Sequence, residues 1–458
     1  MRLTALWPLL VAGMTIATVT HAQPMVSGLQ DQAEAALVAN EPEETIRLAG
    51  QMLDIAPDSF VATFLLALAQ ADLGELQTAA NTGARAYAVA ASENSRFQAA
   101  RFVAGVRFRA GQYTRSEFWL RRAANHAQTE ADLRTIARAY VASADANPLS
   151  VRFAASLAPT DNVNGGSEGG VLTLESIGLT LILPENRRSL SGVAFSASTD
   201  LRYRVAQSPQ QSTALIGTVS GETYELSSQA KDLLASSPDP QVRAVDGSDF
   251  ANVTAAVGFD RVQNNISPLG PVRFEATLGT YWEGGERLVD FRDLSIEQII
   301  PIDRAGTFRL KGFRRGQDAL TPALLDSTLY EVTGTFDRAL ANGDELQLSL
   351  RARRNEAGAE SSFDEYQFGI GYAVAEPVMG VQISTSLQLG YRTFEEFATT
   401  LNGREDRFVS GTATAAFRRL SYFGFSPQVA LSSARTVSTA EENTTSSIQL
   451  ILGITSNF

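Results

Sequence analysis

The last eleven residues of the chain limit its fold more than any other stretch. From Ile448 onward, Ile448, Leu450, Leu452, Ile454 and Phe458 alternate with mainly polar residues. A repeat of two residues places one apolar and one polar face on an extended strand, whereas a helix needs a repeat near 3.6. The stretch therefore predicts a β-strand whose two faces meet different surroundings.

A strand of this kind that ends on an aromatic residue resembles the C-terminal signal of outer-membrane β-barrel proteins. The resemblance implies that the five apolar residues form a membrane-assembly signal, which the barrel-assembly machinery would bind. Ile451, on the polar face, and Ser456 depart from that signal. We expect the protein to lie in a bacterial outer membrane, surrounded by its lipid.

The N-terminal end predicts export. Met1 and Arg2 form a short basic start, residues 3–19 are largely apolar, and Thr20-His21-Ala22 offers a cleavage site. Residues 1–22 are predicted to be a signal peptide that is removed after export. No further run of about eighteen apolar residues follows, so helical membrane spans are not expected. With 0 Cys in the chain, anchoring through an acylated cysteine is excluded, which leaves a barrel or a soluble periplasmic protein.

Residues 29–146 show the spacing of helices and are rich in Ala, Leu, Glu and Arg. Turn signals recur at residues 39–42, 73–75 and 110–112, a spacing of roughly 34 to 37 residues that is close to the tetratricopeptide period. We predict helix pairs over 29–55, 58–92 and 95–127, with a last helix near 131–144; the alternative is a plain helical bundle. Stacked pairs present a concave surface for a peptide or protein segment. Residues 23–147 are therefore predicted to be a periplasmic protein-binding domain.

From Pro148 onward the pattern changes to alternation. Leu346, Leu348 and Leu350 alternate with polar residues directly after the hairpin signal Asn342-Gly343. We predict an α + β multidomain protein, with tetratricopeptide-like repeats followed by a transmembrane antiparallel β-barrel of about fourteen strands over 148–458. The stretch 171–183 is either a strand or part of a long loop. A large water-soluble β-sandwich is the alternative fold, and the long strands and terminal Phe458 favour the barrel.

The composition disfavours catalysis. Beyond residue 22 the only histidine is His126, in a helical segment, and there is no cysteine. Neither a Cys-His pair nor a His-rich metal site can be assembled from these residues. No P-loop or dinucleotide fingerprint is present, and a net charge of -12 argues against nucleic-acid binding. We therefore expect no enzyme activity, catalytic residue, cofactor or metal.

The charged residues at inward-facing strand positions are the candidate site. They either contact a passing substrate and set ion selectivity, or simply pair with one another, and the second role is favoured because charges are common inside such barrels. Arg338 falls on the lipid-facing side, either because it lies at the membrane interface or because the predicted register slips there. The candidate lumen-lining residues are Arg152, Arg273, Glu275, Arg309, Lys311, Arg351, Arg353 and Arg392, with Glu331 and Asp337 as possible partners.

The overall layout resembles the surface lipoprotein assembly modulator (Slam) family. The local matches are Asp161-Asn162-Val163-Asn164, residues 422–427 with the sequence YFGFSP, and the ending Ile448 to Phe458. The resemblance implies an outer-membrane translocator that delivers a client lipoprotein or a related secreted protein to the cell surface, with its helices in the periplasm. It implies no catalytic residues.

Two other functions fit the same pattern. A porin or solute channel with a periplasmic helical protein-binding domain would conduct ions. A scaffold that binds cell-wall or envelope partners through its repeats would neither conduct ions nor move a client. Only the family resemblance favours translocation over these two.

Overall fold

The computed structural model of the protein describes residues 23–322, 324–417, 420 and 425–456. The predicted signal peptide at 1–22, residues 422–424 and Phe458 lie outside the described residues. The chain divides into two compact units, with the boundary between Asn147 and Pro148.

The helical unit consists of consecutive antiparallel helix pairs and a final helix. This confirms the tetratricopeptide-like repeats predicted from the turn spacing. The turn inside each pair contains one residue with positive φ, Asn40 at 60°, Gly74 at 81° and Gly111 at 70°, so each first helix ends in the same way. The helices are α1 Gln23–Val38, α2 Pro42–Ile55, α3 Phe60–Asp72, α4 Leu76–Val89, α5 Glu93–Arg109, α6 Tyr113–Asn125 and α7 Glu130–Ala146.

Alanine and aromatic side chains form the core of the helical unit. The Phe64 and Phe102 rings pack edge to face with centroids 5.4 Å apart. On α4, Gly83 lies so close to α5 that an added Cβ would be 2.8 Å from a methyl group of Val103. Small residues thus let neighbouring helices approach closely, which holds the stack together.

The second unit is a closed barrel of fourteen antiparallel strands, as the alternating pattern predicted. The stretch left open at 171–183 forms a separate two-stranded hairpin, β2 Val171–Leu174 and β3 Leu179–Ile182. The barrel strands are β1 Leu149–Thr160, β4 Gly192–Gln207, β5 Gln211–Leu226, β6 Asn252–Gln263, β7 Val272–Glu283, β8 Glu286–Pro301, β9 Gly306–Ala319, β10 Ser327–Ala339, β11 Glu345–Glu356, β12 Phe363–Ala373, β13 Gln382–Phe394, β14 Arg404–Ala416, β15 Phe425–Ser438 and β16 Thr445–Ser456.

The two ends of the barrel differ. The turn end is the end at which β1 begins and β16 finishes, and its connections are short, such as 208–210 and 302–305. The cap end carries the hairpin-containing loop 161–191 and the loop 227–251, which contains α8 Ser228–Ala235 and α9 Pro240–Arg243. These two loops share a small hydrophobic core, built from Val163, Leu190, Leu226, Ala230, Leu234 and Val242.

Side chains alternate between the lumen and the outer surface along every strand. Apolar residues such as Leu278 and Leu350 face outward and are 61% and 67% exposed, whereas Asp260 and Glu365, on the opposite face, are 0% and 1% exposed. Arg338 faces outward at the turn end, where its Nη1 lies 2.7 Å from an oxygen of Asp303. β10 pairs without a break on both sides, so a register slip does not explain Arg338.

Candidate functional site

An alternating ladder of charges crosses the inner wall of the barrel. Glu331, Arg353, Glu365, Arg392 and Asp406 stand directly opposite one another on β10 to β14. Arg353 Nε is 2.6 Å from Glu331, and Arg392 Nη2 is 2.6 Å from Glu365. Arg353 and Arg351 also approach Glu365 at 3.5 and 3.6 Å. One buried carboxylate therefore faces three guanidinium groups.

A second cluster lies around Asp260 on β6. Arg273 Nε is 2.5 Å from its Oδ1, and Arg202 binds Oδ2 from β4. Further along the wall, on β8 and β9, Arg315 contacts both carboxylate oxygens of Asp293 at 2.7 and 2.8 Å. Paired, hydrogen-bonded charges of this kind are the usual form in which proteins bury them.

All eight candidate lumen-lining residues of the sequence pattern stand at lumen-facing positions. Arg273, Glu275, Arg309, Arg351, Arg353 and Arg392 belong to ion pairs, with Arg309 2.6 Å from Asp337. Lys311 lies 5.7 Å from the Phe313 ring, and Arg152 has no ion-pair partner in the described part of the chain. Six of the eight candidate residues thus form ion pairs within the barrel.

The sequence pattern did not single out several carboxylates that carry the clusters. These carboxylates occupy the same inward-facing alternate positions as their arginine partners, and that position is the signal by which they could be predicted. They are Asp260, Asp293, Glu365 and Asp406. We define the charged wall as the lumen-facing charged residues of β6–β13 together with Asp406.

The other side of the lumen has a different chemistry. From β14 through β16 to β1, a band of uncharged side chains, most of them small, faces inward, and we call it the neutral wall. Hydroxyl contacts are its main polar links, such as Thr412 to Ser432 at 3.1 Å and Ser156 to Ser196 at 2.7 Å. Its residues are Ser410, Thr412, Thr414, Gln428, Ala430, Ser432, Ala434, Thr436, Gln449, Ile451, Gly453, Thr455, Ala154 and Ser156.

The barrel closes within the neutral wall, at the seam between β1 and β16. Residues 154–157 and Thr160 pair with β16, but Ala158 and Pro159 have no partner there among the described residues. The Arg204 amide on β4 donates a hydrogen bond to the Pro148 carbonyl, just before β1. Backbone N–H and C=O groups point to alternate sides along a strand, so those of even-numbered residues of β1 point toward β4 and those of odd-numbered residues toward β16. Pro159 therefore lacks the N–H that would point to β16, and the ladder is interrupted.

The motif Asp161-Asn162-Val163-Asn164 secures the cap end of this seam. Asp161 accepts a hydrogen bond from the Ile448 amide at 2.8 Å, and the Asn162 side chain donates to the Ser446 carbonyl at 3.0 Å. Asn164 accepts from the Leu190 amide at 3.1 Å, while Val163 is buried in the core of the cap loops. The motif thus organises the long loop and ties β1 to β16 beyond the interruption.

The loop 161–191 is also held to two other loops at the cap end. The Glu168 amide donates to the Thr444 carbonyl at 2.9 Å, and the Glu175 amide donates to the Thr399 carbonyl at 3.0 Å. Glu175 in turn accepts from the Leu401 amide at 2.8 Å. This side of the cap end is therefore covered by connected loops, above the neutral wall.

The helical unit has its charges separated along the sequence. Residues 23–75 contain nine acidic residues and one basic residue, whereas 76–147 contain five acidic and ten basic residues. In the basic part, Arg122 lies 4.6 and 4.9 Å from the centroids of the Phe118 and Trp119 rings. The two parts of the helical unit therefore carry opposite net charges.

His126 belongs to a packing cluster at the end of α6. Its Nε2 is 2.8 Å from the Tyr87 hydroxyl and its Nδ1 is 2.6 Å from Glu93, a hydrogen bond that lowers the pKa of Glu93. Burial raises the pKa of Glu117, although Asn147 donates a hydrogen bond to it at 2.9 Å.

No group of residues that could hold a metal ion occurs in the described ranges. None of the described helices is both long and apolar enough to cross a bilayer.

Comparisons with known proteins give no family. No family model matches the chain, and neither does any curated protein. A TPR2B domain of yeast Sti1 is similar to the helical unit, with 14% identity and a TM-score of 0.25 over 26% of this chain and 96% of that one. A bacterial polysaccharide outer membrane secretin covers 68% of this chain and 99% of its own at 8% identity and a TM-score of 0.36. OpdK of Pseudomonas aeruginosa covers 68% and 99% at 9% identity and 0.32. Likenesses this weak carry no argument about function.

Proposed function

We propose that the protein is an outer-membrane translocator that delivers a client protein, a lipoprotein or a related secreted protein, to the cell surface. The observation that carries this proposal is the neutral wall with its interrupted seam, opposite a wall of fixed charges. A passing chain would meet few strong binding groups along the neutral wall. This is the function class that the Slam resemblance implies.

The outer surface of the barrel supports a membrane location. A closed barrel has no unpaired strand edge, and this one carries outward Leu, Ile, Val and aromatic residues such as Leu278, Leu350 and Tyr366. Short turns at one end and long loops at the other are typical of outer-membrane barrels, whose short turns face the periplasm. β1 follows α7 and begins at the turn end, which supports the proposal that the helical unit lies in the periplasm and the cap end at the cell surface.

The size of the barrel limits the state of the client. Fourteen strands at the usual spacing and tilt enclose a circle roughly 28 Å across between backbones, before side chains are counted. A bulky folded domain does not fit in that space unless loops or strands move. The client would therefore cross as an unfolded segment, through the lumen or at the seam in the barrel wall.

The helical unit would hold the client before it crosses. Its basic half, residues 76–147, suits an acidic client segment, and such binding would weaken as salt rises. Affinity between the purified full-length protein and its client should fall between 50 and about 300 mM salt, measured by fluorescence anisotropy. A client that binds equally well at both salt concentrations would contradict this role of the basic half.

Surface proteomics tests the proposal. Cells with and without the protein are treated with an external protease, and the released peptides are quantified. Loss of one or two specific proteins from the surface, with retention of the same proteins inside the cell, is the expected result. An unchanged surface would overturn the proposal.

A porin or solute channel is the second candidate, favoured by the polar lumen of a barrel this wide. The purified protein in a planar bilayer would then conduct ions steadily, and cells without it would take up a solute more slowly. Conductance together with an unchanged surface would assign this second function.

A further inference from the structure

The outer surface of the barrel carries an apolar groove across β6–β12. Two neighbouring rows of outward side chains form it, and each row follows the strand register from one strand to the next. The groove has a volume of about 790 Å³ and adjoins a second depression of about 1190 Å³. Its lining includes Phe274, Ile296, Gly312, Val332, Ala352 and Tyr366.

Small residues create the depression. Gly312 and Ala352 stand between larger neighbours, and a Cβ added at Gly312 would meet only a methyl group of Ile296, at 3.7 Å. Beyond Gly312 and its two chain neighbours, no other atom of the described chain lies within 4 Å of that Cβ position. The groove therefore has room for flexible hydrocarbon chains at a surface that faces lipid.

Arginines stand at the cap-end edge of the groove. Arg314 follows Gly312 by two residues on β9, and Arg354 follows Ala352 by two residues on β11. The Arg314 guanidinium lies 5.9 Å from the Tyr330 ring centroid and has no carboxylate partner among the described residues. The Arg354 side chain is 63% exposed, with its Nε 3.7 Å from Glu356.

These two arginines differ from others on the outer surface. Arg292 Nη2 contacts both oxygens of Asp318 at 2.7 Å, and Arg287 contacts both oxygens of Asp290 at 2.5 and 2.6 Å. Their charges are already neutralised by close carboxylates. Arg314 has no such partner among the described residues, and Arg354, which stands opposite Asp364 in the strand register, makes only the longer 3.7 Å contact with Glu356. Both therefore keep donors for an external anion at the point where the apolar surface ends.

We infer that the groove binds a phosphorylated, multiply acylated glycolipid of the outer leaflet, the lipid A class. Its acyl chains would lie along the apolar groove, and a phosphate would contact Arg314 and Arg354. The arginines stand at the edge of the groove nearer the cap end, so the phosphate would belong to the leaflet at the cell surface rather than to an inner-leaflet phospholipid. The inference rests on the proposed outer-membrane placement but does not require client transport.

Native mass spectrometry of the purified full-length protein in detergent tests this site. The probes are diphosphorylated hexa-acyl lipid A, its dephosphorylated form and phosphatidylethanolamine. Lipid A should bind at least tenfold more tightly than the other two. The double variant Arg314→Gln/Arg354→Gln should lose at least tenfold in affinity for lipid A.

Arg407→Gln is the matched control, because Arg407 also faces outward near the cap end but lies on β14, away from the groove. Its affinity for lipid A should match that of the unmodified protein. A third variant, Gly312→Leu, fills the groove while leaving both arginines in place, and should lower the affinity at least fivefold. Heat-dependent gel mobility checks that each barrel has folded.

Two results would overturn the inference. Equal affinity of Arg314→Gln/Arg354→Gln and Arg407→Gln for lipid A would remove the role of the arginines. A dimer without glycolipid that Gly312→Leu disrupts would assign the groove to a second copy of this chain. Lipid binding is read without any client, so it can fail or hold independently of the proposed translocation.

Discussion

The two sides of the lumen are built on opposite principles. Along the charged wall, Glu365 and Asp260 are almost fully buried and each faces at least two arginines. Along the neutral wall, hydroxyl contacts such as Thr412 to Ser432 join neighbouring strands. Breaking a buried ion pair by removing one partner costs about 3 to 5 kcal/mol, whereas a neutral hydrogen bond contributes about 1 kcal/mol. The charged wall is therefore the fixed side of the barrel, and the neutral wall is the side that can change.

The largest expected effect comes from locking the seam. The chain contains no cysteine, and Ala154 and Thr455 stand opposite each other across the seam, facing the lumen. A disulfide in Ala154→Cys/Thr455→Cys should lower the rate of client delivery at least tenfold, and a reducing agent should restore the rate. The surface protease assay with the client measures both states.

A cross-link on the opposite side is the control for the locked seam. Thr335 and Ser349 form a lumen-facing pair between β10 and β11. Thr335→Cys/Ser349→Cys should form its disulfide and leave delivery unchanged. If delivery continues with the seam locked, the client passes through the lumen without opening the wall.

Periodicity was enough to predict most of the fold. The alternation of Leu346, Leu348 and Leu350 sets both the strand and its outward face, and the positive-φ turns at Asn40, Gly74 and Gly111 mark the helix pairs. These are local patterns, so they can be recognised in a single sequence. The hairpin within 171–183 cannot be predicted in this way, because its two four-residue strands are too short to show alternation.

The candidate site was less predictable. The arginines of the charged wall can be predicted from their alternate positions along the strands. Their partners depend instead on how far each strand is shifted along its neighbour around the barrel. Arg202 on β4 and Asp260 on β6, for example, are not in register and are separated by β5. The Asp161–Asn164 motif stands out in the sequence, yet its bonds to Ile448 and Ser446 join the segment after the first barrel strand to the last strand. Contacts of this range follow from barrel closure rather than from local sequence.

The second largest effect is expected on the charged wall itself. Glu365→Gln removes the buried charge that Arg351, Arg353 and Arg392 share, so these half-buried guanidinium groups would repel one another. The free energy of unfolding should fall by about 3 kcal/mol. Urea titration of the refolded protein in detergent measures it. Ser432→Ala, on the neutral wall, should change the same quantity by less than about 1 kcal/mol, and equal losses would remove the contrast between the walls.

A charge placed on the neutral wall should have a smaller effect on transport. Ser432 faces the lumen on β15, opposite Gln449. Ser432→Asp adds a carboxylate whose register neighbours on the described strands, Thr412 and Gln449, carry no charge. This should slow client delivery about threefold, or roughly 0.65 kcal/mol. Ser432→Asn has nearly the same shape without the charge and should retain the normal rate. Similar rates for the two variants would mean that size rather than charge governs passage.

The smallest expected effect lies at the interruption of the seam. Pro159→Ala restores an N–H that points toward β16, where Leu450 is the next residue in register. The added hydrogen bond contributes about 1 kcal/mol, but loss of the proline ring makes the unfolded chain more flexible by a similar amount. Overall stability should therefore hardly change, while amide exchange slows locally along β16 near Gln449 and delivery slows less than twofold.

Pro427→Ala is the control. The Pro427 carbonyl accepts a hydrogen bond from the Phe417 amide, so its restored N–H would point away from the seam. If amide exchange slows equally in both variants, the missing N–H of Pro159 does not make the β1–β16 seam more mobile than the boundary between β14 and β15.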